Sequence, residues 1–387
     1  MTTQVILLNI HGLAFATDSA TTTSNGRVFN DADKVSIFPG RHKVAVLHAG
    51  AVGMHNVTHL QLIEQWMHET GEATLPTIRD YAAGYLAWLS TNGSRFITEE
   101  SAESTVLSVI RAAFRAAASE MRELIDKSPT DKHSIAMLRR QCLEIVDESI
   151  NILNEIPEPV GFSPIWADTI LRKLAAQIET TADVAFQNVP KARGFRKAVR
   201  ALAHTALARS PHTTPGTLTF VGYGHDEFAP AVVQLRFGIL HSNTLLYRRT
   251  EDIYFDPNLA PHLGIVVVGQ ESAIELVLHG YNDSVVETAI DAVTNHAKLS
   301  RSTVETKVEE LYHREQWMKR ADKVLPTLAI LPISTLAFVA SQLVNLEILE
   351  KLLTGQNPTV GGDVKVWTVT KSAGCVPIGR EKSTPWS

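Results

Sequence analysis

Hydrophobic and polar positions alternate between two regimes along the chain. Residues 4–10 and 13–17 are short, apolar and rich in β-branched side chains, and His11-Gly12 separates them as a turn. Residues 34–38 and 43–48 form a similar pair around Pro39-Gly40, so the first 50 residues predict two β-hairpins. The period then changes. Residues 52–69 and 77–89 read as helices, and 98–126 carries Val106, Ile110, Ala113, Ala117, Met121 and Leu124 at helical spacing. Residues 134–156, 164–187 and 193–208 continue the helical block, punctuated by Pro129, Pro157, Pro159 and Pro190. Strands return at 217–221, 231–237, 243–247 and 264–268. Helices follow at 272–279, 284–297, 302–319 and 335–353. Two more strands are expected at 363–370 and 375–378. Strands joined directly to strands, with helices between the groups, predict an α+β fold of antiparallel sheets covered by helices.

Composition narrows the function classes. The chain has 387 residues, 44% hydrophobic and 20% charged, which fits a globular protein. A net charge of -5 argues against general nucleic-acid binding. Two distant cysteines, Cys142 and Cys375, read as free thiols and exclude a disulfide framework. The start lacks a basic, apolar leader, which gives a cytoplasmic expectation. Residues 324–346 carry no charge and reach bilayer-spanning length. Pro326, Pro332 and several hydroxyl and amide side chains interrupt them, so an ordinary buried helix is the better reading and no membrane association is expected.

Most local motifs carry little chemistry. No nucleophile elbow, P-loop, zincin or paired C-x-x-C pattern is present, and Gly222-Tyr-Gly224 lacks the third glycine of a dinucleotide fingerprint. His55 and His59 stand four apart without a third ligand near them, so no metal is expected there. Lys191, Arg193, Arg196, Lys197 and Arg200 read as a solvated helix face.

The N-terminus is more informative. Removal of Met1 before a small residue would leave Thr2 with a free α-amine. Hydroxyl nucleophile and amine base would then sit in one residue, the amine having a pKa of about 8 in model compounds. Such a pair needs a nearby cation to lower both pKa values and a carboxylate to hold that cation. Asp18 follows Thr2 by 16 positions and Lys34 by 32.

This spacing resembles that of the proteasome β-type N-terminal-nucleophile (Ntn) hydrolases, in a divergent bacterial-type form with a helical insertion. Gly12-Leu-Ala-Phe-Ala-Thr-Asp18-Ser19, Thr21 and Asp33-Lys34-Val35 look like the family's opening strands. His48-Ala49-Gly50-Ala51 looks like its oxyanion motif. Gly222-Tyr-Gly224 to Pro230-Ala-Val-Val, then Val266-Val-Val-Gly269-Gln270-Glu271-Ser272, and finally Gly361-Gly362 are similar to its later turns. The sequence departs at the residues that hold the free N-terminus, where Gln270 (or, less directly, Ser272), Asn357 and Val360 stand in place of Ser, Asp and Ser.

The resemblance implies a four-layer αββα sandwich formed by residues 2–92 and 215–387, with 93–214 inserted as a helical block. It implies a cofactor-free threonine peptidase with Thr2 as nucleophile, Asp18 and Lys34 as its charged partners and the Gly50 N–H as oxyanion donor. Gln270, Ser272 and Asn357 would give support, and Thr21 and His48 would line a substrate pocket. A peptide or protein substrate, self-association into a ring and an ATPase unfoldase partner follow from the same resemblance. A non-catalytic scaffold subunit and a small-molecule amidase remain open as alternatives.

Overall fold

The computed structural model of the chain describes residues 2–22, 27–55, 57–127, 132–210, 216–258, 262–297, 301–312, 318–355 and 360–379. The strands run β1 (Thr3–Asn9), β2 (Gly12–Thr17), the short pair β3 (Thr21–Thr22) and β4 (Val28–Phe29), β5 (Val35–Ile37) and β6 (Lys43–Gly50). The short pair β7 (Gly53–Met54) and β8 (Val57–Thr58) precedes the first helix. Helices α1 (His59–Thr70), α2 (Ile78–Asn92), α3 (Glu99–Asp126), α4 (Lys132–Glu155), α5 (Pro164–Lys173), α6 (Ala175–Ala185) and α7 (Phe195–Arg209) follow. Then come β9 (Gly216–Tyr223), β10 (Ala231–His241), β11 (Thr244–Ile253) and β12 (Leu263–Gly269). The chain continues through α8 (Ser272–Leu278), α9 (Asp283–Ala297), α10 (Arg301–Leu311), α11 (Met318–Ile330) and α12 (Ile333–Leu353) to β13 (Lys365–Thr370) and β14 (Gly374–Ile378).

Among the described residues, ten strands form two five-stranded sheets, ordered β12-β1-β2-β13-β14 and β11-β10-β9-β6-β5. All their pairings are antiparallel, so the α+β class with antiparallel sheets holds. The unbroken apolar run of β1 has a simple cause. Side chains alternate between the faces of a strand, and both faces here are covered. Ile6 and Leu8 join Ala45, Leu47 and Val221 from the other sheet in one cluster. Val5 and Leu7 join Leu336, Ala340 and Val344 of α12 in another. The second sheet repeats the arrangement, with Val44 and Val46 packing against Leu62, Trp66, Tyr81 and Tyr85 of α1 and α2. Helices α3–α7 build a separate core around Phe114, Phe186 and Leu202, which reaches the second sheet at Ile239 and Leu246.

Several boundaries differ from the sequence expectation. The helix expected from residue 52 starts at His59, because Thr58 and Gln61 form a reciprocal capping box and Gly53 and Met54 pair with Thr58 and Val57 as β7 and β8. The single helix expected over 164–187 divides at Leu174 into α5 and α6. Helix α11 was not expected and contains Pro326. Asn9 Nδ2 donates to the Leu328 and Leu331 carbonyls at 2.9 Å each, satisfying groups that the end of α11 leaves open. The uncharged stretch is thus split between α11 and α12. Among the described residues no helix is long and apolar enough to cross a membrane. Cys142 and Cys375 are free thiols, as expected.

Strand β12 ends against the start of β1. Gly269 pairs with Thr3 and has φ +99°, a conformation L side chains rarely adopt. A Cβ placed there would lie 1.8 Å from the Thr2 carbonyl oxygen. Gly269→Ala should therefore destabilise the fold by about 1–3 kcal/mol or more in urea unfolding, and a variant as stable as the parent would contradict this close approach.

Candidate active site

Strand register explains why residues 16 positions apart meet. In the β1–β2 hairpin Gln4 faces Thr17, so Thr3 and Asp18 are the next pair outward. The Asp18 N–H donates to the Thr3 carbonyl at 3.2 Å, and the Thr3 N–H donates to Asp18 Oδ1 at 3.0 Å. Lys34 arrives from the other sheet, just before β5. Its carbonyl accepts the His48 N–H of β6 at 2.8 Å, and its Nζ donates to the same Asp18 Oδ1 at 2.6 Å.

The second carboxylate oxygen is also occupied. Asp18 Oδ2 accepts the Ala20 N–H at 3.2 Å and the Gly361 N–H at 3.1 Å. The Gly361 carbonyl in turn accepts the Ser19 and Ala20 N–H groups. Asp18 is 1% exposed and Lys34 6%, so the pair is shielded from water and both ions depend on these bonds. Burial holds the Lys34 ammonium below its usual pKa, and the Asp18 charge and hydrogen bond oppose that fall.

Thr2 is buried beside this pair, and its carbonyl accepts the Gln270 N–H at 2.9 Å. Thr3 Oγ donates to the Gln270 carbonyl at 2.9 Å. Gln270 thus holds the first residues through its backbone. Ser272 Oγ turns away and donates to Glu347 at 3.3 Å. Gly50 ends β6 with φ +74° and is exposed. Thr21 is half-buried in the β3–β4 pair. Asn357 and Met1 lie outside the described residues. The role of Gly361 was not foreseen, because a backbone N–H has no residue type that would mark it.

His48 is half-buried on β6, with Nε2 3.0 Å from Ser36 Oγ and no partner for Nδ1. Desolvation, then the neighbouring His59, push its pKa down to about 3. Desolvation pushes His59 down to about 4. His55 sits in the turn before α1, bonded to Thr105 Oγ1 and the Leu240 N–H, so the two histidines do not form a metal pair. Among the described residues, one group of side chains has metal-ligand atoms within 4.8 Å of one another, namely Glu99, Glu103 and His241. The Lys173 ammonium ion-pairs with both carboxylates, and Trp166 Nε1–H donates to His241 Nδ1 at 3.4 Å, so a cation is already supplied.

No protein-family model matches the chain, and no curated protein matches it. Two solved structures align over 98% of this chain and 88% of theirs. They are Anbu (ancestral beta-subunit) from Yersinia bercovieri at 11% identity and an Anbu mutant from Hyphomicrobium sp. strain MC1 at 10%, each with a TM-score of 0.30. These findings overturn the assignment to the proteasome β-type family made on the N-terminal motif. No family model takes the chain, and a likeness this low supports no argument from fold to family. Any function rests on the side chains themselves.

The desolvated side chains of His48 and His59 predict acid lability. Each is neutral when folded and has an unfolded pKa of about 6.5. The unfolded chain therefore binds protons that the native state refuses as pH falls from about 6.5 towards 4. Their contribution to stability is complete above about 6.5 and is lost at up to about 1.4 kcal/mol per group per pH unit. Urea unfolding at pH 7 and pH 5 should show this slope, and His48→Gln should reduce it by about one proton. An unchanged slope in that variant would contradict the burial argument.

Proposed function

We propose that the chain is an amide-bond hydrolase, acting on peptides, whose nucleophile is Thr2 exposed by removal of Met1. The observation that carries this reading is one carboxylate oxygen, Asp18 Oδ1, which accepts both the N–H of the residue after Thr2 and the Lys34 ammonium. It places a fixed, dehydrated cation beside the chain start, which is what an N-terminal hydroxyl nucleophile needs.

In the proposed reaction Thr2 Oγ attacks the scissile carbonyl, and its proton passes to the Thr2 α-amine directly or through water. Lys34 supplies positive potential next to the hydroxyl. In this reading the Gly50 N–H stabilises the oxyanion of the tetrahedral intermediate. Collapse breaks the C–N bond, the ammonium protonates the departing amine, and a threonyl ester remains. The α-amine then activates water, which hydrolyses the ester and regenerates Thr2. Gln270 and Ser272 support the chain start in this reading, and Thr21 and His48 line the substrate side.

The same proposal extends to architecture. We read the clusters on either side of the two sheets as the outer boundaries of a four-layer αββα sandwich formed by residues 2–92 and 215–387, with 93–214 as an inserted helical unit. The separate core of α3–α7 supports this division.

The test is direct. The purified protein should have the N-terminal mass of a chain beginning at Thr2 and should cleave members of a fluorogenic peptide-amide panel. Thr2→Ala should lower that rate on the order of 10³-fold or more. Intact Met1 with no cleavage would overturn the proposal and favour a non-catalytic role, and full activity in Thr2→Ala would remove Thr2 as nucleophile.

A further inference from the structure

Helix α12 buries an apolar stripe of Leu336, Ala337, Ala340, Leu343 and Val344 against the first sheet. The stripe continues at helical spacing with Glu347 and Lys351, where the pattern calls for apolar residues. Glu347 is 0% exposed and Lys351 7%. A carboxylate buried this deeply needs donors, and Glu347 has three. Oε2 accepts the Ala273 N–H at 3.0 Å, Oε1 accepts the Ser272 hydroxyl at 3.3 Å, and Lys351 Nζ lies 3.4 Å from Oε1. Lys351 is also held by Glu350 at 2.9 Å.

The residues that Glu347 grips lead straight to the candidate nucleophile. Ser272 and Ala273 follow Gln270, which donates its N–H to the Thr2 carbonyl and accepts the Thr3 hydroxyl. Gly269 on the other side packs against the Thr2 carbonyl. Residues 269–273 are thus a short tether with Thr2 at one end and a fully buried carboxylate at the other.

We propose that Glu347, held by Lys351, is a positioning residue that fixes the 269–273 tether and through it the orientation of Thr2. This rests on the reading of Thr2 as nucleophile. In this proposal α12 holds the tether through Ser272 and Ala273, since Gln270 holds the chain start through its backbone. Glu347 touches neither substrate nor Thr2, so its effect acts wholly through the backbone of the tether.

The experiment measures the rate at which a peptide epoxyketone labels Thr2, well below the thermal midpoint of each protein. It is paired with hydrogen exchange of peptides covering residues 2–4 and 269–273. Glu347→Gln should slow labelling about tenfold or more, because a displacement near 1 Å can cost about 10²-fold, and should speed exchange in both peptides. A role confined to global stability would leave the folded fraction labelling at the parental rate. That result, in a folded Glu347→Gln, would overturn the proposal. Should that variant not fold, Lys351→Met leaves the carboxylate and its bonds to residues 272 and 273 but removes the counter-charge. Slower labelling in it supports the proposal, and parental labelling overturns it. A parental protein that takes no label overturns the Thr2 reading itself, and with it this inference. A labelled parent with an equally reactive Glu347→Gln overturns the tether alone.

Discussion

The structure turns on the buried Asp18 carboxylate. A charge at 1% exposure is tolerable only when its lone pairs are filled, and all four donors here come from different places: Thr3, Ala20, Lys34 and Gly361. They belong to the start of β1, the turn after β2, the approach to β5 and the segment before β13. One side chain therefore ties both sheets and both ends of the described chain to a single point. Neutralising Asp18 would also leave the Lys34 ammonium buried without its counter-ion, so the two residues stand or fall together.

Around this point the chain start is held twice. Asp18 fixes it on the side of β2, and the backbone of Gln270 fixes it on the side of β12. The second hold passes through residues 272 and 273 to Glu347, another buried carboxylate with its own lysine. Two buried acid–base pairs on opposite sides of Thr2 form a costly arrangement. Apolar side chains would fill the same volume without desolvating charge. Under the proposed function, preorganised electrostatics at Thr2 would give the arrangement a chemical purpose.

Much of this was legible in the sequence, for identifiable reasons. The hairpin at the start announced itself because the centres of β1 and β2 are apolar and His11-Gly12 separates them. The meeting of Asp18 and Lys34 was expected only through the resemblance of their spacing to a family pattern, and the structure joins them at 2.6 Å. Helix α3 was legible because its apolar period holds over its length. What stayed hidden is long-range or carried by backbone. Gly361 contributes an N–H, which no side chain advertises, across 343 positions. Glu347 carried no reading in the sequence, because pattern alone cannot show that α8 supplies donors to it. The start of α1 was missed because the capping box at Thr58 is short-range chemistry hidden inside an apolar stretch. The N-terminal motif matched a family pattern, yet the whole chain matches no family model, so local chemistry was legible where ancestry was not.

The central claim is that Asp18 and Lys34 together make Thr2 an N-terminal nucleophile. A peptide epoxyketone tests it most directly, because a stable double adduct needs a hydroxyl and a free amine on one residue. Peptide mapping by mass spectrometry should place that adduct on a chain-terminal Thr2. It should be absent when Lys34 is replaced by Met in a protein that still folds. An adduct elsewhere, or no adduct on a parental protein that begins at Thr2, would contradict the account.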